Sequence, residues 1–125
     1  MKKIIYSDKA PAPIGPYSQA VSVNGMVYIS GQIPIDQATG DLVSGSIEDE
    51  THQVMKNIGF ILAAAGLTYS NIVKTSIFVK DLGNFGRINE VYGNYFDKQP
   101  PARETVEVSR LPKDVNIEIS CIAAE

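Results

Sequence analysis

One cysteine and one histidine stand among 125 residues, and each scarcity closes off a kind of chemistry. Cys121 alone cannot form an internal disulfide, which points to a reducing compartment. A zinc site takes three or four His, Cys or carboxylate ligands at short spacing, and no such group surrounds His52 or Cys121. A Ser-His-Asp arrangement would have to use His52, which falls in a predicted helix with no nucleophile motif beside it. No glycine-rich phosphate loop is present. The chain is therefore expected to work without metal, cofactor, nucleotide or covalent intermediate. Arginine is scarce too, with only Arg87, Arg103 and Arg110. Eleven Lys and Arg against fourteen Asp and Glu give a net charge of −3, and the cations are scattered, so no nucleic-acid partner is expected. Long apolar runs are missing: nothing approaches the roughly 20 residues of a membrane span. The run at Ile4-Ile5 is far too short for a secretory signal, which makes the cytoplasm the expected location.

What remains is the balance of an ordinary globular protein, 44% apolar and 20% charged, without repeats or linkers, and a single domain over 1–125 is expected. Lys3 to Ser7 reads as a strand. The proline-rich run from Ala10 to Pro16 must be a loop, because Pro and Gly exclude helix and interior strand. Ser18–Val23 and Met26–Ser30 flank Asn24-Gly25, the strongest two-residue hairpin signal. Gln32 to Ser44 reads as loop with a turn at Thr39-Gly40-Asp41.

Ser46, with Glu48, Asp49 and Glu50 after it, starts a helix with favourable capping and dipole. Ile47, Val54, Ile58, Ile61, Leu62 and Ala65 keep to one stripe, and Gly66 stops it. Ile72–Val79 is a strand. Asn84 is placed to cap a second helix carrying Phe85, Ile88, Val91, Tyr92 and Tyr95, closed by Pro100-Pro101. Ala102–Ser109 and Val115–Ala123 alternate as two last strands. The order β-β-β-α-β-α-β-β predicts an α+β fold, a mixed six-stranded sheet with two helices on one face. The uncovered face calls for a partner, so an oligomer is expected.

If the last two strands form a hairpin about Pro112, Thr105 lies opposite Glu118 and Arg103 opposite Ser120. Arg103 and Glu118 then become diagonal neighbours on one polar face. Arg103 would fork onto a substrate carboxylate while Glu118 works on a water beside it. Spacing alone favours an exposed cross-strand Arg–Glu pair, which is common and weak.

A more specific signal runs from Pro100-Pro101-Ala102-Arg103-Glu104-Thr105 to Asn116-Ile117-Glu118-Ile119. It resembles the C-terminal signature of the Rid family, the YjgF-like reactive-intermediate deaminases, and is similar to the RidA branch. Ile14-Gly15-Pro16-Tyr17-Ser18-Gln19, Ile29-Ser30-Gly31-Gln32-Ile33-Pro34 and Ile88-Asn89-Glu90-Val91-Tyr92 match in the same order. The resemblance implies a chorismate-mutase-like homotrimer with the sheets inside and three clefts between subunits. It implies hydrolysis of reactive 2-imino acids and enamines, 2-iminobutanoate and 2-iminopropanoate among them, to 2-keto acids and ammonia. Carried over, Arg103 binds the substrate carboxylate, helped by the backbone N–H of Thr105, and Glu118 holds or activates the attacking water. Tyr17 closes the cleft beside Ser30 and Gly31, with Asn89 nearby.

Two departures stand out. Glu104 replaces a usually small residue and points away from Arg103 by alternation; Thr105 stands where cysteine is common, which removes any thiol behaviour there. Taken singly, Tyr17 reads as a packed aromatic, Ser30-Gly31 as a strand end and Asn89 as a helix-surface hydrogen bonder. His52 reads as structural, Cys121 as buried packing and Tyr92 and Tyr95 as helix packing. Two other readings use the same chain: a non-catalytic module sensing small keto or imino acids, and an endoribonuclease, which the charge balance and lone histidine disfavour.

Overall fold

The computed structural model describes residues 1–125. In chain order the elements are β1 (Lys3–Ile5), β2 (Ala20–Val23), β3 (Met26–Gln32), β4 (Ile35–Asp36), β5 (Asp41–Leu42), α1 (Ile47–Ala64), β6 (Ile72–Val79), α2 (Phe85–Gly93), β7 (Ala102–Glu107) and β8 (Ile117–Ala124). Local chemistry accounts for most boundaries. Asn24 and Gly25 both take positive φ, 52° and 77°, the twist a two-residue turn needs to pair β2 with β3. The Ser46 hydroxyl accepts from the Asp49 N–H at 3.0 Å and starts α1. Gly66, at φ 76°, ends it, while the Leu67 N–H reaches back to the Leu62 carbonyl at 2.8 Å.

Three local expectations need correcting. The segment after Gln32 is not wholly loop: β4 and β5 form a small hairpin of their own. Asn84 does not cap α2 with its side chain; a single 3₁₀ turn over Leu82–Asn84 runs into the helix, and Asp81 caps that turn by accepting from the Gly83 N–H at 2.8 Å. The helix ends at Gly93, before Tyr95, because Gly93 and Asn94 are poor helix formers that let the chain turn out.

The six long strands form one mixed sheet in the order β1-β2-β3-β8-β6-β7, antiparallel except for the parallel pair β6–β7. Both helices cover one face. Val54, Met55, Ile58, Ile61 and Leu62 of α1, with Ile88 and Tyr92 of α2, pack on Val27, Ile77, Ile117 and Ile119. The α1 residues in that set have no exposed surface. The other face is open and carries Ile4, Tyr28 and Val106, at 55%, 43% and 39% exposure, among polar residues. No helix is long and apolar enough to cross a membrane.

The hairpin expected between the last two strands does not form. β8 lies between β3 and β6, and β7 pairs only with the far side of β6. The reason lies in composition. Ile117, Ile119, Cys121 and Ala123 are all buried, which suits β8 to the centre, whereas every residue of β7 keeps some exposure, which suits an edge. The crossover through α2 then makes β7 parallel to β6.

Candidate functional site

Residues paired across neighbouring strands share a face, so the register decides where each predicted side chain points. Arg103 is opposite Thr75, and Thr75 is opposite Cys121, which puts Arg103 on the helix-covered face. Glu118 is opposite Phe78, and Phe78 is opposite Val106, which puts Glu118 on the open face. Arg103 and Glu118 therefore lie on opposite faces with β6 between them, and the cross-strand Arg–Glu pair of the sequence reading is absent.

Arg103 belongs to a cluster between β7 and α2. Its Nη1 donates to Asn89 Oδ1 at 2.7 Å. The guanidinium carbon lies 5.1 Å from the centre of the Tyr92 ring and 5.4 Å from that of Phe85, within cation–π range. Phe85, Asn89 and Tyr92 recur at helical spacing and form one stripe toward the arginine. Tyr92 is anchored in turn by a 2.7 Å hydrogen bond between its hydroxyl and that of Thr75. Thr105, two residues along β7 on the same face, has a buried hydroxyl with no partner. The cluster holds a planar cation at fixed orientation and leaves an unpaired hydroxyl beside it, which suits a small carboxylate.

Glu118 borders a cavity of about 660 Å³ on the opposite face, with Tyr17, Ser30, Gly31, Ile33 and Lys113 among its neighbours. The β3–β8 register shifts between Ile29 and Gln32, so the strand bulges at Ser30-Gly31. There the Glu118 carboxyl rests against Gly31, in the space that a Cβ at Gly31 would fill. Burial pushes the Glu118 carboxyl above the usual carboxylate range, and no hydrogen bond or ion pair offsets it. An acid whose charged form is disfavoured in this way is suited to accepting and returning a proton. The Ser30 hydroxyl is already engaged, donating to the Ser18 carbonyl at 2.6 Å.

Tyr17 is half exposed in the proline-rich loop, and its hydroxyl accepts from the Ile14 N–H at 3.3 Å. That loop is held by Gln19, which the sequence reading did not single out. Gln19 is buried; its amide donates to the carbonyls of Ser7, Ala10 and Pro11 and accepts from the Ser7 N–H. A lone amide at a strand start after a proline-rich loop was the available signal. Lys113 was missed as well: it takes φ 54° in the turn before β8 and borders the Glu118 cavity.

The remaining candidates lie apart. His52 is exposed, with Nδ1 2.9 Å from the Tyr95 hydroxyl, away from both clusters. Burial pushes the Cys121 thiol up to about 12, which keeps it protonated and unreactive. Glu104 faces away from Arg103, as alternation requires. A hydrogen bond from the Ser76 hydroxyl, and then Lys74 at 2.9 Å, hold it below the usual carboxylate range. A hollow of about 670 Å³ beside Asn94–Gln99 contains none of the predicted site residues.

The family model described as Endoribonuclease L-PSP matches residues 7–125. The mouse 2-iminobutanoate/2-iminopropanoate deaminase is 46% identical over 125 residues, covering all of this chain and 93% of the mouse protein. Among solved structures, YyfA of the conserved Rid protein family, from Yersinia pestis, superposes with a TM-score of 0.97 at 50% identity over the full length of both chains. E. coli TdcF with bound serine gives a TM-score of 0.94 at 43% identity, covering 98% of each chain. The two-helix, six-strand architecture is shared with these structures. This chain belongs to the Endoribonuclease L-PSP family, the family of the Rid and YjgF-like proteins that its motifs resemble.

Proposed function

We propose that this protein hydrolyses small 2-imino acids and their enamine tautomers, such as 2-iminobutanoate and 2-iminopropanoate, to 2-keto acids and ammonia. The reaction takes place in clefts of a homotrimer, where the Arg103 cluster of one copy meets the Glu118 cavity of the next. The observation that carries this reading is the Glu118 carboxyl, half-buried against Gly31 without a hydrogen-bond donor, at the wall of a cavity sized for a small molecule. Its separation from Arg103 by β6 is why two copies are needed. Two relatives support the substrate class: the mouse protein is named for these imino acids, and TdcF binds serine, a small amino acid.

Arg103 grips the substrate carboxylate through two parallel hydrogen bonds, with the Thr105 N–H assisting and Asn89 fixing the guanidinium. That grip sets the C=N carbon beside a water held by Glu118. The water oxygen adds to that carbon while Glu118 takes one of its protons, and the nitrogen takes up another from solvent. Glu118 then returns its proton to the nitrogen, the C–N bond breaks as the new hydroxyl gives up its remaining proton to solvent, and ammonia leaves with the keto acid formed. Tyr17 closes over the cleft beside Ser30 and Gly31. Imines hydrolyse readily unaided, so orientation and modest acid–base help suffice.

The test is release of ammonia and keto acid from a freshly generated imine, with and without protein. Acceleration proportional to protein concentration supports the proposal. Tight keto-acid binding with no acceleration overturns it in favour of a sensing module.

A further inference from the structure

Along α1, one stripe breaks the rule of the core. Glu50, Gln53 and Asn57 follow each other at helical spacing and are 6%, 7% and 0% exposed, although all three are polar. Glu50 is an acid with no Lys or Arg partner. Buried polar groups are unfavourable unless satisfied, and an apolar stripe would pack here at less cost.

All three are satisfied, by two separate sets of hydrogen bonds: Glu50 with Asn116, and the Gln53–Asn57 pair with the Ile33 and Ile35 carbonyls. Glu50 Oε2 accepts from Asn116 Nδ2 at 2.8 Å, and Oε1 accepts from the Asn116 backbone N–H at 3.3 Å. Gln53 Nε2 donates to Asn57 Oδ1 at 2.9 Å. Asn57 Nδ2 donates to the carbonyls of Ile33 at 3.1 Å and Ile35 at 2.9 Å.

The two sets reach the same place from opposite sides. Asn116 stands two residues before Glu118, where β8 begins. Ile33 stands two residues after Gly31 and lines the Glu118 cavity. The contact between Gly31 and the Glu118 carboxyl is therefore braced from both strands by a single helix face. We propose that Glu50, Gln53 and Asn57 are positioning residues that set the Glu118 carboxyl against Gly31 at the wall of the cavity. The inference rests on the reading of Glu118 as the proton-transferring group, and its test separates the two.

The variants are Glu50→Gln and Asn116→Ala. The first keeps the shape but turns an amide NH₂ toward Asn116 donors; the second removes the donor side chain at an exposed position. Glu48→Gln is the control: it removes the same charge from the same turn, but Glu48 pairs with exposed Arg87 at 2.6 Å. Two readouts are taken on the intact protein. One is titration of the Glu118 side-chain carbon by ¹³C NMR; Tyr17 and Lys113 are the other titratable groups bordering the cavity and are followed as internal references. The other is imine hydrolysis, resolved into kcat and KM.

Both site-side variants are expected to move the Glu118 titration toward the ordinary glutamate range. They should lower kcat about tenfold at unchanged KM, since small misplacements of reacting groups have effects of this order. Glu48→Gln should change neither. A Glu118 titration and a kcat identical to the parent's in both variants, with only the melting temperature lowered, would show that the stripe is merely structural and overturn the proposal. If the parent protein does not hydrolyse imines, the function fails alone, and the titration still decides the positioning role. If Glu50→Gln does not fold, Asn116→Ala carries the same two readouts.

Discussion

Arg103 and Glu118 owe their properties to what surrounds them more than to what they are. The arginine is fixed by Asn89 and by two aromatic rings, so its fork points one way. Arg103→Lys keeps the charge and loses the planar fork. The variant is expected to fold like the parent and to lose on the order of 10²-fold in kcat/KM for imine hydrolysis, because catalysis depends on placement. A nearly native rate in a folded preparation would remove Arg103 from the mechanism. Gly31→Ala places a methyl where the Glu118 carboxyl now rests, and a comparable loss of kcat is expected with the sheet intact by circular dichroism.

Glu118 also has a signature in stability. Burial raises its folded value above the ~4.3 of an unfolded glutamate, so between the two the native state binds more protons. Its contribution is present at acid pH and lost as pH rises through the folded value. Glu118→Gln removes that loss, so denaturant titrations should show the variant gaining on the parent as pH rises above the ~4.3 of an unfolded glutamate, while its hydrolysis slows. A stability difference independent of pH would mean that the carboxyl is not desolvated.

At the level of elements, α1 holds the architecture together and its start is simple chemistry. Ser46→Ala removes the acceptor for the Asp49 N–H and is expected to destabilise the fold by about 1 kcal/mol, read as a lowered denaturation midpoint at unchanged slope. Elements of this kind were legible before the structure: the Asn24-Gly25 turn, the Ser46 cap, the Gly66 stop and the apolar stripe of α1 all depend on neighbours a few residues away. Strand neighbours were not legible. The run from Arg103 to Glu118 looked like a hairpin because a short connection usually makes one. The composition of β7, with a charged residue on each face, was the available sign that it belonged at an edge. The buried stripe Glu50, Gln53 and Asn57 was also hidden, since first-turn acids ordinarily serve the helix dipole in solvent.

For the whole molecule, the open sheet face and the separation of Arg103 from Glu118 lead to one expectation, a homotrimer with sites between copies. Sedimentation equilibrium should give three chains per particle at micromolar concentration. A stable monomer that still hydrolysed imines would remove the intersubunit cleft. The exposed Ile4, Tyr28 and Val106 on the open face are the apolar surface such an assembly would cover.

Periodicity, caps and turn residues determined the helices, most strand boundaries and the two-helix, six-strand composition of the fold, because each is an effect between residues close in the chain. Ordered motifs near Tyr17, Ser30, Asn89 and Arg103 determined the family. Only the tertiary structure decided that β8 enters between β3 and β6, that Arg103 and Glu118 face opposite ways, and that Gly31 lies beneath a carboxyl 87 positions further along the chain. Alternation along a strand says that successive side chains oppose each other, but not which face the core will take. That choice is made by packing among distant segments, where burying Ile117, Ile119 and Cys121 under α1 and α2 outweighs the short connection that a hairpin would have used.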